Sequence, residues 1–137
     1  MTKWTIRVRI YYEDTDFSGV VYHANYLRYF ERGRTEALRE ATGLGHGTLF
    51  DAKDPVAFTA RQLEISYDRP ARIDDLLTIE TSVVDVRGAR MVFAQRAIRE
   101  GDVLASAKVT IACMDPKGRP RRLPKKMLDM IALPSEE

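Results

Sequence analysis

Residues 4–12 alternate, with Ile6, Val8 and Ile10 set against Arg7 and Arg9, which is the two-residue period of a half-buried strand. An acidic stretch with turn residues follows, Glu13-Asp-Thr-Asp-Phe-Ser-Gly19. The period then changes. From about Ala24 to Thr42, Tyr26, Phe30, Gly33, Ala37 and Ala41 recur at spacings of three and four, flanked by Leu27 and Leu38. Arg28, Glu31, Arg32, Thr35, Glu36, Arg39 and Glu40 fill much of the rest, so the segment predicts an amphipathic helix of about five turns. Arg32–Glu36 is a favourable i,i+4 pair and Glu36–Glu40 an unfavourable one. Gly43 supplies a stop. Gly33 inside the helix costs up to about 1 kcal/mol against Ala and predicts a close approach to another backbone.

Residues 44–55 read as a loop, with Gly45, Gly47, Asp51, Asp54 and Pro55. Strand patterns follow at Val56–Tyr67, Leu76–Val86, Ala89–Arg99 and Val103–Met114, separated by turn signals at Gly88 and Glu100-Gly-Asp102. Asp115-Pro-Lys-Gly118 closes the last strand, and Pro124–Leu133 predicts a short helix. One strand, one long helix and four strands make an α+β domain spanning residues 1–137, a five-stranded antiparallel sheet with one face under a helix of about 28 Å. The uncovered face or the free sheet edge is expected to be buried in an oligomer.

Composition narrows the function. Hydrophobic residues make up 45% of the 137-residue chain and charged residues 31%, an ordinary globular balance. A net charge of +2 gives no case for nucleic-acid binding. No stretch approaches the roughly 18 apolar residues of a membrane span, and the start of the chain lacks a signal-length apolar run. Cys113 is the single cysteine and lies in a strand pattern, so it is expected to be an inert core thiol in a reducing, cytoplasmic setting. One Cys and two His offer no metal-ligand spacing.

The chemistry then concentrates in residues 13–26. None of the five serines sits in a G-x-S-x-G elbow, and no glycine-rich phosphate loop precedes a helix. Glu13, Asp14 and Asp16 bring carboxylates to the start of the long helix, near His23 and Asn25. Unpaired N–H groups and the helix dipole there favour negative charge, as on the oxyanion formed when a carbonyl is attacked. A carboxylate is a weak nucleophile or base and suits an activated ester. A thioester qualifies, because its thiol leaves as a thiolate of pKa not far above about 8.5. Residue types alone do not choose among the three carboxylates.

Arg9-Ile10, Thr15-Asp16, Gly19-Val20-Val21-Tyr22 and Asn25-Tyr26 stand at the spacing of a known signature. The chain resembles the 4-hydroxybenzoyl-CoA thioesterase family. The run Tyr12–Tyr26, with Glu31-Arg32, Arg34 and Glu36 after it, is similar to the bacterial acyl-CoA thioesterase branch associated with the Tol–Pal system. The resemblance covers nearly the whole chain. It implies the hotdog fold, a long helix wrapped by an antiparallel sheet, assembled as a homodimer or homotetramer. It implies Asp16 as the catalytic carboxylate, nucleophile or general base, and the helix start at Tyr22 and His23 as the source of the polarising N–H, with the His23 side chain assisting. The implied substrate is acyl-CoA, and neither a metal nor a dissociable organic cofactor is expected.

Substrate contacts are expected from Tyr22 and Asn25 and from the apolar residues Leu49, Phe50, Val56 and Phe58 within 44–58. Lys117, Arg119, Arg121, Arg122, Lys125 and Lys126 put six basic residues in ten positions, suited to the phosphates of CoA. Arg90 and Arg121 are the positions that match the family's phosphate contacts. Two other readings are an acyl-carrier-protein thioesterase and a non-catalytic module that binds acyl-CoA or a protein partner.

Overall fold

A computed structural model describes residues 2–131, apart from the side chain of Phe50. In chain order the elements are β1 (Trp4–Arg9), a 3-10 turn at Tyr12–Asp14, α1 (Asn25–Thr42), α2 (His46–Asp51), β2 (Ala57–Tyr67), β3 (Leu76–Arg87), β4 (Arg90–Arg99), β5 (Asp102–Met114) and α3 (Lys125–Met130). The five strands form one antiparallel sheet in the order β1-β3-β4-β5-β2.

The register puts Val8 opposite Leu77, Ile6 opposite Ile79, Phe93 opposite Val83 and Val109, and Ile111 opposite Met91. These residues share the inner face. Against it α1 buries Tyr26, Tyr29, Phe30, Gly33, Ala37 and Leu38, packing chiefly across β1 and β3. The half of the inner face on β5 and β2 is left less covered. Gly33 is where helix and sheet come closest. A Cβ there would stand 2.8 Å from Thr81 Oγ1 and 2.9 Å from Ile79 Cγ2. The close approach is therefore to sheet side chains rather than to a backbone. Beside it Gln95, buried, donates from Nε2 to the Phe30 carbonyl and to Thr81 Oγ1, both at 2.8 Å.

Three details differ from the pattern-based reading. The first strand ends at Arg9, because the Asp14 carboxylate captures the Tyr11 N–H and folds residues 12–14 into a turn; Tyr11 and Tyr12 are exposed. The 44–55 segment contains α2, whose glycines masked it; buried Leu49 anchors it, donating to Gly45 O and accepting from Val56 N–H. On α1, Glu36 pairs with Arg39 rather than Arg32, and Leu27 is exposed while Tyr29 is buried. The last helix occupies Lys125–Met130, and the remainder of its expected span, 132–133, lies outside the described residues. No helix among the described residues is long and apolar enough to cross a membrane.

Candidate active site

The loop ahead of α1 is held as a small antiparallel ladder. Thr15 bridges Val21, and the Asp16 N–H donates to Val20 O at 3.0 Å. Gly19, at a φ of 83°, makes the reversal and donates back to Asp16 O at 3.0 Å. The left-handed conformation explains a glycine there. Val21 N–H donates to Ala71 O at 2.8 Å, which ties the loop to the β2–β3 connection. Asp16 therefore sits at the rim of a short turn on a fixed base.

Its side chain is exposed and accepts from Ser18, through the N–H at 2.8 Å and through the hydroxyl, both on Oδ1. This is an Asx-type turn. The two Ser18 hydrogen bonds, hydroxyl first, hold the Asp16 carboxyl below its ordinary value, and His23 nearby adds to the effect. Among the described residues Oδ2 has no hydrogen-bond partner, so an ionised oxygen is left free.

Asp14, two residues earlier, has a different environment. Its Oδ2 accepts from Tyr11 N–H at 2.7 Å and its Oδ1 from Asn25 Nδ2 at 3.1 Å. Its carbonyl accepts from Tyr22 N–H at 2.9 Å. Glu13 is exposed, with no hydrogen bond among the described residues. The three carboxylates left equivalent by residue type are thus separated by geometry.

At the start of α1 the Asn25 N–H donates to Tyr22 O at 2.9 Å and the Leu27 N–H to Ala24 O at 3.1 Å. Among the described residues the N–H groups of His23 and Ala24 find no acceptor. The Tyr22 N–H, one of two expected donors to the substrate, is already spent on Asp14 O; the His23 N–H remains. The His23 ring lies exposed between Tyr22 and Tyr67, with ring centroids 4.8 and 6.1 Å away, and its carbonyl accepts from the Tyr67 hydroxyl at 3.0 Å. The Asn25 side chain faces Asp14.

A cavity of about 400 Å³ opens where α1 leaves the sheet uncovered, among Phe58, Met91, Phe93, Ile111 and Leu38 on its apolar side. Arg34 and His46 stand on its polar side. Arg34 donates to Gln95 Oε1 at 3.0 Å, and burial pushes both its guanidinium and the His46 imidazole below their ordinary values. Phe58 lines this cavity. Val56 and Leu49 do not: both are core residues, Leu49 on α2 and Val56 joined to it by its N–H. Phe50's side chain lies outside the described residues.

Arg90 and Arg121 gather at the far end of the sheet. Arg90 pairs with Ala112, and Arg121 N–H donates to Cys113 O at 3.0 Å. Tyr67, beside His23, pairs with Ala105, so the two ends are about 23 Å apart at 3.3 Å per residue. Arg121 is occupied: Nη1 and Nη2 reach the Asp54 carboxylate at 2.7 and 3.2 Å, and Nη1 reaches Pro55 O at 2.8 Å. Arg90 is exposed. Cys113 is buried and its thiol is pushed up to about 11 by that burial. No three of His, Cys, Asp and Glu gather as a metal site among the described residues.

Sequence reasoning missed Ser18 and Tyr67. An Asp-x-Ser spacing was the available signal for Ser18. Nothing in the sequence linked Tyr67 to a helix start 44 positions away.

Residues 10–131 match the family model described as the thioesterase-like superfamily. The acyl-CoA thioester hydrolase YbgC of Escherichia coli is 44% identical over 123 residues, covering 88% of this chain and 90% of that protein. The acyl-CoA thioesterase YbgC of Haemophilus influenzae is 46% identical over 121 residues, covering 88% of each. The crystal structure of a probable thioesterase from Bartonella henselae is 45% identical with a TM-score of 0.86, over 90% of this chain and all of that one.

Proposed function

The chain belongs to the thioesterase-like superfamily and is a thioester hydrolase, and we propose that it converts acyl-CoA to free acid and CoA through Asp16. One observation carries the proposal: an exposed carboxylate held ionised by Ser18 stands on the loop that leads into a helix start whose His23 N–H is unused. The thioester oxygen takes the His23 N–H, where helix dipole and hydrogen bond both stabilise the developing oxyanion. Asp16 Oδ2 either attacks the carbonyl carbon or removes a proton from a water that does. Collapse of the tetrahedral species breaks the C–S bond and expels CoA as thiolate. In the first route an acyl-aspartyl anhydride forms and water then hydrolyses it; in the second the acid is released directly. Neither route calls for a metal or an organic cofactor.

The separation of the two ends of the sheet favours a site built from two copies. β2 is an 11-residue edge strand, exposed along most of its length and with a hydrogen-bonding edge left open. Such an edge is normally covered. Two-fold pairing through β2 brings the Asp16 end of one sheet beside the cavity and Arg90 end of the other. The acyl group then occupies the cavity beside Phe58, and Arg90 meets the nucleotide phosphates. Arg121 contributes there only by releasing Asp54. A homodimer is the minimal unit of this reading and a homotetramer extends it, each protomer being one hotdog domain over 1–137 in a cytoplasmic setting.

The experiment is thiol release from a panel of acyl-CoAs of increasing chain length plus a hydroxybenzoyl-CoA, alongside carrier-protein thioesters of one matching chain. Turnover fastest on a CoA thioester is expected. Faster carrier-protein turnover would reassign the substrate, and saturable CoA binding with no turnover anywhere in the panel would leave a binding module.

A further inference from the structure

We propose that Asp14 is a positioning residue for this reaction, which fixes the Asp16 turn to the start of α1 and so sets the distance between the Asp16 carboxylate and the His23 N–H. The inference rests on the thioesterase reading above.

In sequence Asp14 and Asp16 look like duplicate acids. In the structure only Asp16 has an oxygen to offer. Asp14 is half-buried, and each of its carboxylate oxygens is taken, by the Tyr11 N–H and by the Asn25 side-chain amide. Its carbonyl holds the Tyr22 N–H, with a longer contact of 3.4 Å from the same Asn25 amide. One residue thereby joins the chain leaving β1 to both sides of the helix start. The Tyr29 hydroxyl, from the second turn of α1, is buried against this cluster without a hydrogen-bond partner among the described residues. Burial first, and then the closeness of the Asp14 carboxylate, raise its phenol far above the ordinary range, so it stays a neutral wall to the clamp.

The Asp16 side chain does not reach the helix. Its partner is Ser18 within its own turn, and that turn is anchored otherwise through Val21 to Ala71. The backbone ladder of Thr15 with Val21 and of Asp16 with Val20 closes the turn itself, and the further link from the turn to the helix start, to Tyr22 N–H and the Asn25 side chain, runs through Asp14. A misplacement of about 1 Å between a catalytic group and its target can cost roughly 100-fold in rate. Asp14 touches no reacting atom and acts through this spacing.

The test compares kcat, KM, thermal midpoint and the pH profile of wild type, Asp14→Ala and Asp14→Asn on one acyl-CoA, well below every midpoint. Asp14→Ala, which removes both acceptors, is expected to lower kcat by roughly 10- to 100-fold with KM nearly unchanged. Asp14→Asn keeps one acceptor and is expected to fall between. The acid limb of both profiles stays with Asp16. An unchanged kcat with only a lower midpoint would overturn the proposal by making Asp14 purely structural. A loss in Asp14→Asn equal to that in Asp16→Asn would overturn it by making Asp14 the catalytic acid. If Asp14→Ala does not fold, Asn25→Ser decides: it removes one arm of the clamp, a several-fold fall in kcat supports the proposal, and an unchanged kcat contradicts it. Wild-type turnover and its loss in Asp16→Asn are read in the same assay, so failure of the parent reading shows there, independently of Asp14.

Discussion

The Ser18 N–H and hydroxyl both donate to Asp16 Oδ1, which stabilises the charged form of this carboxylate and leaves Oδ2 without a partner among the described residues. Asp16 is therefore ionised down to a pH below the ordinary carboxylate range. In the proposed mechanism the reactive form is the carboxylate, so activity is expected to be flat through neutral pH and to fall only when acidity protonates Asp16. Ser18→Ala removes the hydroxyl's hydrogen bond to Oδ1, keeps that of the N–H, and lets the pKa rise. The acid limb of kcat/KM should then move to higher pH with the plateau much less affected. A limb at the same pH in both proteins would show that Ser18 does not tune the acid.

Gly33 predicts a stability effect without a chemical one. An added methyl would meet Thr81 Oγ1 and Ile79 Cγ2, short branched side chains on buried strand positions that have little room to move. Overpacking of this kind costs roughly 1–3 kcal/mol, against which Ala recovers up to about 1 kcal/mol of helix propensity. Gly33→Ala is expected to lower the midpoint of denaturant unfolding. A midpoint equal to or above wild type would mean that helix and sheet can separate without cost.

Cys113 is a thiol that should stay silent. Buried on β5 and raised to about 11, it carries almost no thiolate at pH 8. The native protein is expected not to react with a disulfide reagent, and to release one thiol equivalent once unfolded in denaturant. Cys113→Ala should keep kcat close to wild type. Rapid labelling of the native protein would contradict the burial, and loss of turnover in the variant would reopen a cysteine mechanism.

The elements were legible wherever one period ran undisturbed. Asn25–Thr42 and the three strands of Leu76–Met114 lie within two residues of their pattern-based limits, because alternation or a three-four stripe acts over ten or more positions. The first strand was read too long because Tyr11 and Tyr12 prolong its apolar pattern while Asp14, through reciprocal hydrogen bonds with Tyr11, bends the chain away. α2 was read as loop because Gly45 and Gly47 have low helix propensity and the core that buries its Leu49 is supplied from outside the segment. At the site, the loop and helix start were readable from local spacing. The roles inside it were not. Asp14 and Asp16 differ through which donors reach them, and one of those donors is Asn25, brought back eleven positions by the fold. Val56 and Arg121 show the same limit: an apolar residue and a cation were recognisable, while their partners, the core and Asp54, are set by tertiary structure.

The most direct measurement is kcat/KM for thioester hydrolysis by wild type and by Asp16→Asn, with both shown to share fold and thermal midpoint. The amide keeps the size and the Ser18 contact but provides neither nucleophile nor base, so a loss of roughly 10²- to 10⁴-fold is expected. Retention of most of the activity in Asp16→Asn would contradict the assignment of the chemistry to Asp16.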